Sequence, residues 1–457
     1  MMSRFPTGLQ SAALLLALAS LCIASAVDAH IGAGAGDTDL LPHPGDASAV
    51  LLEAPWGLVV SSAEGGYDWV CHEVLSNGVA ELPEFEISRD GVMFGVAGLL
   101  TGTAVPNESL YRSTDDGCSW EAVSGTTGEL VQDAGFDPED GSIALAVTAN
   151  PVDPDDAIRN SILRSVDGGA SFAEVQGYDG RVFREVRFGP GGVAYALAVD
   201  QEPLAAVLLR SEDGGLTWAE KAIPDETLET PAFGVIAAID PGDANEVWLT
   251  FDGNAEDGAL RTADGGDSFE ALDLPASLVL DVTLLPDGGG WLVGDARQLW
   301  SSADRVVWTL HETAPQVWGG AWVDGGLRLA VNTLAHDEAL VRTEEGAQFE
   351  TLLTTLDLQG PLECPAGTTV ADVCEPLWDN LYRVLTLMRP QPSGGDDDDS
   401  ASPVEPGACD GCGANTLGGA GAGWTWALLL LGLSCARSRR RVGGGQRPAS
   451  GKRAVRP

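Results

Sequence analysis

RSVDGGASF, residues 164–172, decides the fold. It recurs as RSTDDGCSW (112–120), RSEDGGLTW (210–218) and RTADGGDSF (261–269). The second residue of each copy falls at 113, 165, 211 and 262, in steps of 52, 46 and 51. Each copy reads as a turn. Asp167 accepts hydrogen bonds from the backbone just ahead of it, Gly168 and Gly169 accommodate positive φ, and Ser171 bonds locally. An apolar run such as 205–209 precedes the turn, and a second such as 217–223 follows it, opening on an aromatic residue. The unit is a β-hairpin with a polar turn.

Weaker copies extend the series. SAEGGYDW (62–69) keeps the spacing with Glu64 for Asp, while SADRVVW (302–308) and TEEGAQF (343–349) are one residue short. Seven units with a period of 40 to 52 residues, each with room for four short strands, predict a seven-bladed β-propeller. Runs at 83–123, 132–174, 181–223, 233–272, 279–310 and 317–352 repeat the same strand order without helical periodicity. The pattern S-x-D-x-G-x-[ST]-[WF] resembles the Asp-box of the sialidase-type (BNR) repeat family, in which the box joins the third and fourth strands of a propeller blade. The resemblance makes Ser113, Asp115, Gly117, Trp120, Ser165, Asp167, Gly169, Phe172, Ser211, Asp213, Gly215, Trp218, Thr262, Asp264, Gly266 and Phe269 structural turn residues. The box carboxylates lie on the outer hairpin, away from the propeller axis, which argues against catalytic roles for them.

The fold class expected is all-β: seven four-stranded blades at 47–355, a Cys-closed loop and capping helix at 356–388, a disordered linker and one transmembrane segment. Residues 1–29 read as a signal peptide: Arg4, an apolar core from 12 to 24 and a small-residue cleavage site. Residues 30–46 are a flexible Gly/Asp/Pro-rich segment, and 389–408 an acidic Pro/Gly/Ser linker. At 409–441 a cysteine motif, ACDGCG, precedes an uncharged apolar stretch and an Arg cluster, followed by a basic disordered tail at 442–457. The stretch is long enough to span a bilayer with the arginines on the cytoplasmic side. This order resembles the carboxy-terminal sorting signal of myxobacterial surface proteins. The resemblance implies processing at Cys412 or, alternatively, Cys409, and display at the cell surface or outer membrane.

The formal net charge is −43. Arg4 and eight basic residues after Cys435 lie outside residues 30–408, as do Asp28 and Asp410, so this body holds 16 basic and 66 acidic groups, a net −50. Such a surface repels nucleic acid and anionic lipid and suits a solubilising shell. An exported chain permits disulfides. Cys364 and Cys374 are the expected pair, and Cys71 with Cys118, in neighbouring blades, is a second option.

No catalytic, cofactor-binding or metal-binding residue is assigned. P-loop, dinucleotide fingerprint, nucleophile elbow and His-rich metal motifs are absent, and the five His residues are scattered. The arginine cluster Arg181, Arg184 and Arg187 is confined to one strand, so a three-arginine clamp from different blades is not assembled. The loops 99–109 and 148–160 exceed what a turn requires and are candidate binding loops. The reading is a surface-anchored, non-enzymatic binding or scaffold propeller engaging an envelope protein or glycan, without a cofactor. The alternative is a sialidase-like glycoside hydrolase with two axial carboxylates.

Overall fold

Runs of four to eight residues rich in Val, Leu and Ala, closed by Gly, Asp and Pro, can pair only with their sequence neighbours. The computed structural model shows that pairing in residues 40–43, 50–61, 66–75, 83–97, 109–126, 128–150, 159–224, 233–252, 258–333 and 335–388. The expected signal peptide, linker, Cys409, Cys412, apolar segment and tail lie outside the described residues, as do Ser62, Glu64 and the loop middles 98–108 and 151–158. The chain divides into two compact units, Met1–Pro392 and Ser393–Pro457, and every described residue belongs to the first.

Seven four-stranded antiparallel sheets follow one another in sequence order. They are the blades of a propeller, at 40–70, 84–122, 131–179, 181–222, 233–271, 279–310 and 317–354. From blade 2 to blade 7 the first strands of neighbouring blades lie side by side, and Leu40–Pro42 of blade 1 meets Val317–Val323 of blade 7, so the first strands are the innermost and the ring closes. The expected run 217–223 begins its strand only at Ala219. Thr217 stays in the turn because Asp213 Oδ1 takes its N–H at 2.8 Å.

The cores form between blades. Phe94 of blade 2 stacks on Phe136 of blade 3 with ring centroids 4.0 Å apart, and Phe172 packs on the same ring. Tyr195, Leu197 and Leu208 of blade 4 meet Ile236, Leu249 and Phe251 of blade 5. A fully buried side chain of this size stabilises by about 1.5–3 kcal/mol, so these layers are the main cohesion of the ring.

Blade 1 takes all four strands from the amino-terminal side, so closure needs another device. After blade 7 the chain runs along the outer strand of blade 1, Tyr67–Val70. Trp69 N–H donates to Gly360 O at 2.8 Å, Gln359 N–H to Tyr67 O at 3.0 Å and Leu362 N–H to Trp69 O at 2.9 Å. Two short helices follow, α1 (Thr369–Val373) and α2 (Glu375–Met388), in place of the single capping helix expected from 370. Neither is long and apolar enough to cross a membrane. Val370 N–H donates to Cys118 O, and Trp378 packs on Trp69.

This strap corrects the expected cysteine pairing. Cys374 bonds to Cys71 and Cys364 to Cys118, joining residues 303 and 246 apart in sequence. Cys364–Cys374 and Cys71–Cys118 do not form. Closeness in sequence favoured the ten-residue loop, but the strap's docking places each of its cysteines against a different blade.

Candidate binding face at the loop end

The two ends of the propeller have different chemistry. At one end the box turns of blades 3, 4 and 5 lie against the turn between the first two strands of their own blade: Gly168 N–H donates to Ser142 O, Gly214 to Gly192 O and Gly265 to Asn245 O. In blade 3, Ser165 Oγ donates to Asp167 Oδ1 at 2.7 Å, and Gly169 N–H donates to Ser165 Oγ at 2.9 Å. Ser171 donates through its N–H to Asp167 Oδ1 and through its hydroxyl to Oδ2. Ser113/Asp115/Gly117, Ser211/Asp213/Gly215 and Thr262/Asp264/Gly266 repeat the inner bonds. The Ser171 and Ser165 hydroxyls and the Ser171 N–H hold the Asp167 carboxyl at about 2, and Ser268 does the same for Asp264. Carboxylates so committed keep a turn and do not exchange protons near neutrality.

In blades 3, 4 and 5 the box glycine of the Ser/Thr-Asp-Gly trio is where the blade presses on the one before. Gly169 has φ +76°, and a Cβ there would meet Phe94 Cζ at 2.2 Å; at Gly215 it would meet Leu145 Cδ2 at 2.4 Å. Trp120 and Phe172 are buried at the ends of their boxes, and the Trp120 and Trp218 indoles donate to Gly117 O and Gly215 O. The arginines opening the blade 2 and blade 3 boxes reach sideways, whereas Arg261 of blade 5 pairs within its own blade with Glu246 and Glu270. Arg112 Nε donates to Gly168 O of blade 3 at 2.8 Å, and Arg164 Nε to Gly214 O of blade 4 at 2.6 Å. A polar cleft of about 330 Å³ beside the blade 2 box is lined by Arg112, Asp115, Ser119, Glu121 and Ala170.

The opposite end carries the longer loops. The ends of the two candidate loops, at Ser109 in blade 2 and at Asn150 and Asn160 in blade 3, are tied together by a polar belt. Ser109 Oγ donates to Glu129 O at 3.0 Å, and Asn150 Nδ2 to Glu129 Oε2 at 2.5 Å. Asn150 N–H donates to Asn160 Oδ1, and Asn160 Nδ2 to Arg181 O at 2.7 Å. Arg181 then pairs with Asp200 at 2.6 Å and Glu220 at 2.8 Å and lies over the Tyr178 ring. The belt crosses three blades; Ser109, Asn150 and Asn160 fall in the two candidate loops and Arg181 in the arginine cluster, while Glu129 was in neither.

The sequence cluster Arg181, Arg184, Arg187 is spread along one strand. Arg181 is at the loop end; Arg184 fills the register shift beside Phe183; Arg187 bonds to Glu185. Nearer the axis are carboxylates that the sequence did not distinguish among its many acids. Asp133 Oδ2 accepts from Val186 N–H of the next blade at 2.7 Å, Glu185 Oε2 from Ile236 N–H at 2.6 Å, and Asp281 Oδ2 from Gly320 N–H at 2.7 Å. Each satisfies an inner-strand donor of the following blade that would otherwise cost about 1–3 kcal/mol.

Asp133 also carries an electrostatic load. Burial and the neighbouring Glu185 carboxylate raise it to about 7, against hydrogen bonds from Val186 and Ala134. In the unfolded chain the group titrates near about 4. Folding therefore takes up a proton between these values. The resulting stability is fully present below about pH 4 and is lost as pH rises through about 7. The thermal midpoint should rise on acidification from pH 8 to pH 5. Asp133→Asn should remove on the order of 2–3 kcal/mol of the stability gained between pH 8 and pH 5, leaving the part due to general charge repulsion. Parallel profiles for variant and parent would refute the assignment.

Among the described residues no group of three or more His, Cys, Asp or Glu side chains is placed to hold a metal ion. No family model matches the chain. A xyloglucanase of Paenibacillus sp. is 31% identical over 147 residues, 29% of this chain and 14% of that enzyme, so the match spans a small part of its length. Among solved structures, YCF48 bound to D1 peptide is similar over 55% of this chain and 74% of its own, at 19% identity and a TM-score of 0.36. The GH74 enzyme of Niastella koreensis is similar over 70% and 73%, at 12% identity and a TM-score of 0.34. A puromycin-hydrolysing peptidase of Mycobacterium tuberculosis is similar over 72% and 55%, at 15% identity and a TM-score of 0.47.

Proposed function

We propose that the protein is a surface-displayed, non-enzymatic binding or scaffold propeller of the bacterial cell envelope, meeting a protein or glycan at its loop end. The observation that carries the reading is the polar belt from Ser109 to Arg181, which anchors two neighbouring long loops on a rigid rim. The box aspartates, at the other end, are consumed by their turns. Export is supported by the signal-peptide pattern and by two disulfides, and display by the Asp-box propeller preceding a sorting-signal pattern at Cys409 and Cys412.

The test is an array of glycans and polysaccharides probed with the full chain and read for binding and product release, with an envelope extract as the protein arm. Saturable binding without product, lost when Asn150 and Asn160 are replaced by Ala, supports the reading. Binding indifferent to those changes opposes it. One observation favours a second reading, a glycoside hydrolase: Asp133 and Glu185 are carboxylates on the inner strands of neighbouring blades, and burial together with the Glu185 charge raises Asp133 toward neutrality, as a general acid needs. Product released by the parent chain and abolished in Asp133→Asn and Glu185→Gln would establish that reading.

A further inference from the structure

In a body holding 66 acids against 16 bases, every cationic side chain should find a carboxylate or carbonyl. Among the described residues the other arginines have a bonding or charged partner, Arg305 and Arg181 several each. Arg297 is the exception. Its guanidinium lies 3.6 Å from the ring centroid of Trp318, and its Nε, closed to solvent, has no acceptor. Burial lowers its pKa from the ordinary value, and no carboxylate offsets that effect. Asp295, two residues away, is turned aside: its oxygens accept from Ser277 Oγ and Ala296 N–H.

The arginine is held in place. It sits in the 294–298 turn between Gly290–Gly294 and Leu299–Ser302 of blade 6, at the loop end. Its backbone is left-handed at φ +56°, kept there by Arg297 N–H on Gly294 O and Val317 N–H on Arg297 O. A non-glycine residue in that region stores strain of about 1–3 kcal/mol. Trp318 is the register-shift residue of the innermost strand of blade 7, beside the axis. The Trp300 indole N–H, next to Gly294, also has no acceptor. The turn therefore gathers donors, an aromatic wall and strain with no internal acceptor.

We propose that Arg297 and Trp318 form a binding site for a singly charged carboxylate. A planar guanidinium braced on an indole presents its edge to a planar anion. The surrounding charge of −50 opposes polyanions, so the rest of the ligand is neutral or cationic. This rests on the reading of the propeller as a binding module. Failure of the site would leave the array result unaffected, which separates the two.

The experiment titrates the full chain with N-acetylglycine and galacturonate, and with N-acetylglycinamide and galactose as uncharged counterparts, by calorimetry and tryptophan fluorescence. One carboxylate should bind saturably and at least tenfold more tightly than its uncharged counterpart. Which of the two binds distinguishes a peptide-terminal from a sugar carboxylate. Arg297→Gly should abolish the binding, and it suits the left-handed backbone, so the loss cannot be ascribed to misfolding. Arg297→Lys should weaken it by retaining charge without the planar fork. The proposal is overturned if neither carboxylate binds, if charged and uncharged probes bind alike, or if Arg297→Gly binds as the parent does.

Discussion

Removing the Cys71–Cys374 disulfide, as Cys71→Ser with Cys374→Ser, should lower stability by about 4 kcal/mol, a fall in thermal midpoint of about 5–10 °C. The bond closes 303 residues of chain, and cross-linking so long a segment removes much of the unfolded chain's freedom. A second contribution comes from geometry. The strap at 359–362 covers the outer strand of blade 1, and without its cysteine link that edge can open from Trp69 outward. Cys118→Ser with Cys364→Ser should cost about as much, because with the other bond in place either disulfide closes the same ring made of segments 71–118 and 364–374. Both double variants should show faster hydrogen exchange at Tyr67–Val70 and at α1 than at blades 4 and 5. Non-reducing peptide mapping gives an independent readout, with Cys71 recovered joined to Cys374 and Cys118 to Cys364. Unchanged midpoints in both variants would mean that interblade packing alone closes the ring.

The second large effect concerns Arg305. The blade 6 box is one residue short, and Arg305, at φ +61°, stands where blades 3, 4 and 5 have Gly168, Gly214 and Gly265 and blade 2 has Asp116. Its side chain is 8% exposed and reaches back to blade 5, pairing with Asp240 at 2.5 Å and Glu246 at 2.8 Å. It also donates to Gly289 O and Leu285 O. Burial pushes Glu246 up, but hydrogen bonds from Arg261, Trp248 and Arg305 bring it below its usual value. Arg305→Ala leaves two buried carboxylates facing each other and should cost about 3–5 kcal/mol. Arg305→Met with Asp240→Asn and Glu246→Gln should recover most of that loss, since the charges go together. Acidification should partly rescue Arg305→Ala, because Asp240, left without its cation beside Glu246, can then take a proton. Urea midpoints at pH 5 and pH 8 check all three statements. A cost below about 1 kcal/mol for Arg305→Ala would show that water or Arg261 compensates.

Sequence reading went furthest where the chain's own neighbours decide the structure. The box turns are closed by hydrogen bonds between residues two to four apart, as from Ser165 to Asp167 and from Ser171 to Asp167. A fixed residue order therefore suffices to predict them. The 40-to-52-residue period then determined blade number, because each four-stranded sheet pairs only within its own repeat.

Contacts between repeats were legible only in the folded ring. Ring closure brings Cys71 to Cys374 and Cys118 to Cys364, whereas sequence spacing pointed to Cys364–Cys374. The ring also carries Asp133 to Val186 of the next blade and Arg305 back to Asp240, choices that no composition could make among 66 acids. It left Arg297 against Trp318 with no carboxylate at hand. Local hydrogen bonding and periodicity determined the blade from sequence alone. The tertiary structure decided which charges are spent on holding blades together and which remain for a ligand, because those pairings exist only once blades distant in sequence are packed face to face.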